Sequence, residues 1–397
     1  MRLVTVSSIG TVAINENDTR EARIVVTRGG NWPAVSSRGE LALPVGATQP
    51  GETAHVRRFS ADAPGAAAGV PGSELAPGHG VAPGLTHYVY WSPAGTNLLI
   101  IQPAEGALEL RSWRPGTPAS QRLFAGAPIF PAFDDTGSRL AVHHGGPSGA
   151  RLVVLELLDG APARVCLVQQ GVGGFGAPAF CGDGQVVTWA EPAGGGGVRL
   201  RAADVGTGRT FPGPAFEGTV RFVPGPVRNH VLVAVGEPGA PAMYGRLVAW
   251  EPGAPTVRML YRGRFLAAWA SPASARELVA LALPGFSPES RVQPAFIDAR
   301  GRELGRLAPF VPSPPMQFAL AFFDQFGRSH GPWSPGGDWF IVGGRTATDG
   351  PFALFGPPEP DRVLGVAAAE IDARPLAWRV LAEGVAGWLA GAAPGRA

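Results

Sequence analysis

The feature that most constrains this chain is a short unit that recurs along nearly all of its 397 residues. Each copy is an apolar strand ending in an aromatic, a tight turn, and a second apolar strand. Two copies are clear: Tyr88-Val89-Tyr90-Trp91-Ser92-Pro93-Ala94-Gly95 before Leu98-Leu99-Ile100-Ile101, and Trp333-Ser334-Pro335-Gly336-Gly337 before Trp339-Phe340-Ile341-Val342. Others read Phe133-Asp134-Asp135-Thr136-Gly137 and Phe180-Cys181-Gly182-Asp183-Gly184. Looser ones begin at Val35, Phe222 and Ala270, and a strand-only copy lies at Trp388. Proline presets one turn residue, glycine takes a positive φ, and serine bonds the local backbone, so the unit encodes a turn between antiparallel strands.

The anchors at 35, 91, 133, 180, 222, 270, 333 and 388 are separated by 56, 42, 47, 42, 48, 63 and 55 residues. That period accommodates four short strands per unit, the repeat of a β-propeller blade. The expected fold is therefore all-β, a single propeller domain over 1–397 with about eight four-stranded blades, seven being the alternative. Three strands are predicted at Leu3–Ser7, Thr11–Asn15 and Ala22–Thr27, and only one after Trp388. Together these complete one blade and tie the ring shut, leaving no open sheet edge between first and last blades. Two stretches break the period. Residues 61–84 read as a low-complexity Ala/Gly/Pro loop, and residues 284–317 as a stretched connection marked by Pro312-Ser313-Pro314-Pro315.

The Trp-Ser-Pro-x-Gly turn and the apolar strand after it resemble the repeat of TolB-like propellers, whose consensus is Trp-Ser-Pro-Asp-Gly. Trp91 and Trp333 keep the Trp-Ser-Pro start, and neither copy has the consensus Asp. The resemblance spans nearly the whole chain. It implies the fold and leaves function open, because propellers of this class include scaffolds, receptors and domains appended to peptidases.

Composition narrows the chemistry. The 57 Gly and 41 Pro would suit disorder if apolar residues were scarce, but 45% of the chain is hydrophobic. The chain has no lysine, so all 33 basic residues are Arg, as a GC-rich genome favours; a phosphate-loop lysine, a Schiff base and a catalytic lysine are excluded. Net charge is +2 without a basic run, so no nucleic-acid partner is expected. Cys166 and Cys181 form neither a metal-ligand spacing nor a disulfide framework. The chain shows no signal-peptide pattern and no membrane span, which reads as a soluble, cytoplasmic, bacterial-type protein; a misassigned start would instead place it in the periplasm or outside the cell.

Three strings invite a catalytic reading and fail on context. Gly171-Val172-Gly173-Gly174-Phe175-Gly176 matches a dinucleotide fingerprint, but an inner strand, not a helix, is expected after it. Gly327-Arg328-Ser329-His330-Gly331 matches a nucleophile elbow, yet the chain continues into Pro332-Trp333-Ser334-Pro335, a strand end and turn. His143 and His144 are adjacent on one strand and point to opposite faces, so they do not share a metal.

The candidate ligand-binding residues are Asp324, Gln325, Arg328 and His330, just before an inner strand, with His87 facing the channel beside His330. Against this stands the plainer reading, in which Asp324 and Arg328 pair with each other and His330 caps a turn. No catalytic residue, metal or cofactor is assigned. The sequence favours a non-catalytic scaffold or binding protein for a peptide, protein or small polar ligand at one face of the channel. The alternatives are a propeller enzyme of hydrolase or lyase type and an assembly subunit, with oligomeric state open.

Overall fold

The computed structural model describes residues 2–6, 12–16, 22–26, 32–47, 51–59, 68–75, 87–104, 107–145, 149–158, 161–173, 176–181, 183–225, 229–237, 239–272, 277–285, 291–346, 362–372, 375–383 and 387–391. Its strands form six separate four-stranded antiparallel sheets and one of eight strands, the arrangement of a β-propeller. The repeat maps onto them directly. Tyr88–Trp91, Leu98–Ala104, Ala107–Trp113 and Gln121–Gly126 form one sheet in chain order, and Ile129–Phe133 through Arg164–Gln170 form the next. The eight-stranded sheet arises because Phe310–Pro312 pairs with both Val292–Asp298 and Trp339–Thr346, splicing two such units edge to edge.

The first and last described strands pair with each other. Arg2–Val6 pairs antiparallel with Gly387–Gly391, and Val12–Glu16 and Ala22–Val26 follow outward. The stretch 61–84 is not wholly loop. Residues 61–67 and 76–84 lie outside the described residues, but Ala68–Gly69 pairs with Arg57 and Arg58 as the fourth strand of its sheet. Low complexity concealed it because alanine and glycine carry no strand pattern.

The turn chemistry works as the repeat implies. Ser92 Oγ accepts the backbone N–H groups of Thr96 and Asn97, Ser36 Oγ those of Arg38 and Glu40, and Ser334 Oγ that of Trp339. Asp134 substitutes for serine, its Oδ1 accepting from Arg139 N. Gly137 has φ +74°, and a Cβ there would stand 2.8 Å from Ser92 Cβ of the preceding turn. Glycine is thus required twice over, for its dihedral and for turn-on-turn packing. Tryptophan at the anchor has its own reason: Trp91 Nε1 donates to Ala34 O at 3.2 Å and Trp333 Nε1 to Trp269 O at 3.0 Å. Each indole bonds the innermost strand of the preceding repeat.

The segment after Phe310–Pro312 is not β. Pro314–Ala321 is a helix, α1, and Phe323–Phe326 a single turn, α2. The expected extended connection at Pro312-Ser313-Pro314-Pro315 is corrected here. Two prolines in the first turn of a helix lack only N–H groups that would have no intrahelical partner, so Pro314 and Pro315 start α1 instead of extending the chain. Helix α2 packs against Ile129–Phe133, Val220–Val223 and Ala267–Ala270, strands of three different sheets.

Candidate functional site

The insertion is anchored by aromatic packing at the beginnings of the inner strands. Phe326 stacks on Tyr90 with ring centroids 5.4 Å apart, and also meets Tyr88, Trp32 and Phe318. Period-two alternation puts Tyr88 and Tyr90 on this channel face and sends Val89 and Trp91 to the packing between sheets. Phe318, Phe322 and Phe326 lie four residues apart, which places them in mutual ring contact.

Above this aromatic plug is a cavity of about 330 Å³. The anchors of seven repeat copies line it: Val35, Trp91, Phe133, Phe180, Phe222, Ala270 and Trp333. The segment from α2 onward closes its lower side through Asp324, Gln325, Gly327, Arg328 and Ser329. Turn residues such as Ser37, Pro93 and Asp135 make its rim.

The predicted polar residues fall into this frame unequally. Asp324 is buried and does not pair with Arg328. Its Oδ2 lies 3.2 Å from Arg221 Nε, and it accepts backbone N–H groups of Gln325 and Ala177. Burial raises its pKa from the ordinary aspartate value, and Arg221 opposes that rise. Gln325 Nε2 donates to Tyr90 Oη at 3.4 Å and to Ile129 O at 3.5 Å. Arg328 reaches upward from the plug to the rim. Its Nη2 lies 2.5 Å from Asp135 Oδ1, off the line of a hydrogen bond, and donates to Gly225 O at 3.3 Å. Asp324 and Arg328 therefore reach different sheets, and the pairing of one with the other is not what forms.

His330 lies behind the cavity wall, buried, with Nε2 donating to Pro33 O at 3.0 Å. That fixes Nδ1 as acceptor, and Ser329 Oγ donates to it at 2.8 Å. Burial pushes the His330 pKa down to about 3, against the Pro33 carbonyl that raises it. The ring is neutral and a poor proton acceptor.

His87 is a correction. It does not line the cavity or join His330; its Nε2 bonds Ser73 O at 2.9 Å, and burial lowers its pKa to about 4. The cause is strand parity, since His87 lies one residue before Tyr88 and so projects with Val89 and Trp91. His143 and His144 diverge as expected, His143 bonding Val172 O and Gly176 O while His144 packs on Phe124. Among the described residues, no three His, Cys, Asp or Glu side chains converge on a metal-sized point. No helix among them is long and apolar enough to cross a membrane.

The sequence reading missed Arg221, Asp135 and the aromatic plug. Arg221 immediately precedes the anchor Phe222, and Asp135 is in a turn already singled out. Their relevance appears only when the ring is closed. The plug did leave a signal, phenylalanines at 318, 322 and 326 at helical spacing.

No family model and no curated protein matches the chain. Among solved structures, it is similar to a eukaryotic initiation factor at 13% identity and TM-score 0.50, covering 97% of this chain and 85% of that one. A prolyl endopeptidase matches at 11% identity and TM-score 0.50, over 91% of this chain. TolB from Acinetobacter baumannii matches at 12% identity over 77% of this chain, with a TM-score of 0.34. The chain spans 62% of the TolB chain and 51% of the endopeptidase chain. At these identities the likeness is one of fold.

Proposed function

We propose that this chain is a non-catalytic binding propeller, built of eight four-stranded blades on a TolB-like repeat, that holds a peptide segment or small polar ligand in the cavity at one face of its channel. One observation carries the reading: seven repeat anchors and the 324–331 segment enclose a single cavity in which the acidic groups lie against arginines, Asp324 against Arg221 and Asp135 against Arg328. Its size is near the lower end of the roughly 300–1,000 Å³ usual for small-molecule sites, and its mostly apolar wall with a few polar groups is of the same kind. Paired charges suit recognition, whereas acid–base chemistry needs groups poised to exchange a proton.

The test is a panel of capped dipeptides titrated against the full chain, read by thermal shift and by mass-spectrometric recovery. Binding with every peptide recovered intact, and lost in the cavity-filling variant Ala132→Trp, supports the reading. A panel that nowhere binds, or a peptide recovered cleaved, overturns it. The Ser329–His330 contact and the raised pKa of the buried Asp324 are the footholds among the described residues for the enzyme alternative. Fluorophosphonate labelling that disappears in Ser329→Ala would favour that alternative, against the low basicity of His330.

A further inference from the structure

We infer that the ligand presents a carboxylate to Arg328 and an apolar body to the cavity wall, an inference that rests on the binding reading above. Arg221, although beside the cavity, is engaged by Asp324 and by Tyr244. His230, which also lines the cavity, is kept neutral chiefly by burial. Arg328 is the cation in the wall that retains donors. Its Nη2 serves both Asp135 and Gly225 O, and among the described residues Nε and Nη1 have no acceptor. Both forked edges of a guanidinium, Nε with Nη2 and Nη1 with Nη2, include Nη2, so a carboxylate held bidentately takes the Nη2 hydrogen not given to Gly225 O, in place of Asp135, together with one of the unengaged nitrogens.

Asp135 does not fill that role. Its Oδ1 approaches a single nitrogen off the hydrogen-bond line, so the pair is close but lacks the two parallel bonds of a fork. The Arg328 and Asp135 side chains are 29% and 35% exposed, although Asp135 Oδ1 itself is buried. Solvent screens a partly exposed pair of this kind, and a better-aligned carboxylate can compete with it. Asp135 acts as an internal competitor for Arg328. Below the rim the wall is apolar, from Phe133, Phe180 and Phe222, and Asp324, Gln325 and Gly327 line it from the inserted segment. A cavity of about 330 Å³ suits a chain end or a compact molecule. The C-terminal residue of a peptide and a free apolar acid share this chemistry.

Isothermal titration calorimetry of the full chain with three probes tests the inference: N-acetyl-leucyl-phenylalanine, its C-terminal amide, and 3-phenylpropionate. The expected result is that the peptide acid binds about tenfold or more tighter than the amide, one hydrogen-bonded charge pair's worth. Arg328→Gln should remove that preference while leaving the amide unchanged. Asp135→Asn should tighten acid binding several-fold, a gain that misfolding cannot produce. Equal binding by 3-phenylpropionate assigns the carboxylate to a free acid, and binding by the peptide acid alone assigns it to a chain end. Acid and amide binding alike, indifferent to Arg328→Gln, overturns the carboxylate assignment and leaves the binding reading standing. No binding by any probe overturns both.

Discussion

The ring of repeat turns and the segment 314–331 solve the same problem, joining distant parts of the chain, in opposite ways. The ring does it by repetition. A serine or aspartate bonds backbone two to five residues away, and a glycine lies against the preceding turn. The plug does it once, with contacts that have no counterpart elsewhere: Gln325 reaches Tyr90 and Ile129, His330 reaches Pro33, and Arg328 reaches Asp135 and Gly225. Redundant local bonds tolerate degenerate copies, which is why Phe133-Asp134 works where Trp91-Ser92 stands elsewhere. A unique element has no such reserve, and its loss should be felt at the cavity it floors.

The sharpest way to break the comparison is Phe326→Ala. This side chain is buried among Trp32, Tyr88, Tyr90 and Phe318, and its removal should cost about 3–5 kcal/mol in denaturant unfolding. Such a loss should be accompanied by increased protease cutting within 314–331 while the strands stay protected. If the strands open together with the plug, the two regions form one cooperative unit and the contrast drawn above fails.

Acid should expose the next difference. His330 has a folded pKa near 3 against 6.5 in the unfolded chain. Below pH 6.5 the unfolded state binds the extra proton, so stability is full above that value and falls as pH drops toward 3. The loss by pH 4 should be on the order of 3 kcal/mol, and His330→Gln should flatten it. His87, near 4 within the sheets, should contribute a limb of the same sign and slope that levels off near pH 4. Asp324 works oppositely: its raised folded pKa means that stability declines as pH rises from its unfolded value through the folded one, a component that Asp324→Asn should delete. Stability curves of these two variants and the parent chain between pH 3 and 8 separate these contributions.

The smallest expected effect tests redundancy in the ring. Ser92→Ala removes the acceptor for Thr96 N and Asn97 N but leaves the backbone bonds Gly95 N to Ser92 O and Ser92 N to Asn97 O. It should cost about 1 kcal/mol and leave ligand binding unchanged. A loss comparable to that of Phe326→Ala would show the turns to be less interchangeable than their repetition implies.

How much of this was legible follows from the range of the interactions. The strands at 2–6, 12–16 and 22–26 and their pairing partner at 387–391 were readable, because alternating apolar residues and a strand count suffice. The seven anchors that line the cavity were readable for the same reason. Helix α1 was misread because Pro312 to Pro315 signals extension when taken alone, and only the phenylalanine spacing behind it signals a helix. His87 was misplaced by a single step of strand parity.

By itself, then, the sequence determined the repeat and the propeller, since turn dihedrals, capping bonds and two-residue alternation act within a few residues of chain. Only the tertiary structure decided what fills the channel and which charges meet there. Asp324 with Arg221, and Arg328 with Asp135, are more than one hundred residues apart in sequence. Their partnership depends on the closed ring, because local sequence fixes a side chain's direction while the opposing charge is delivered by a different sheet.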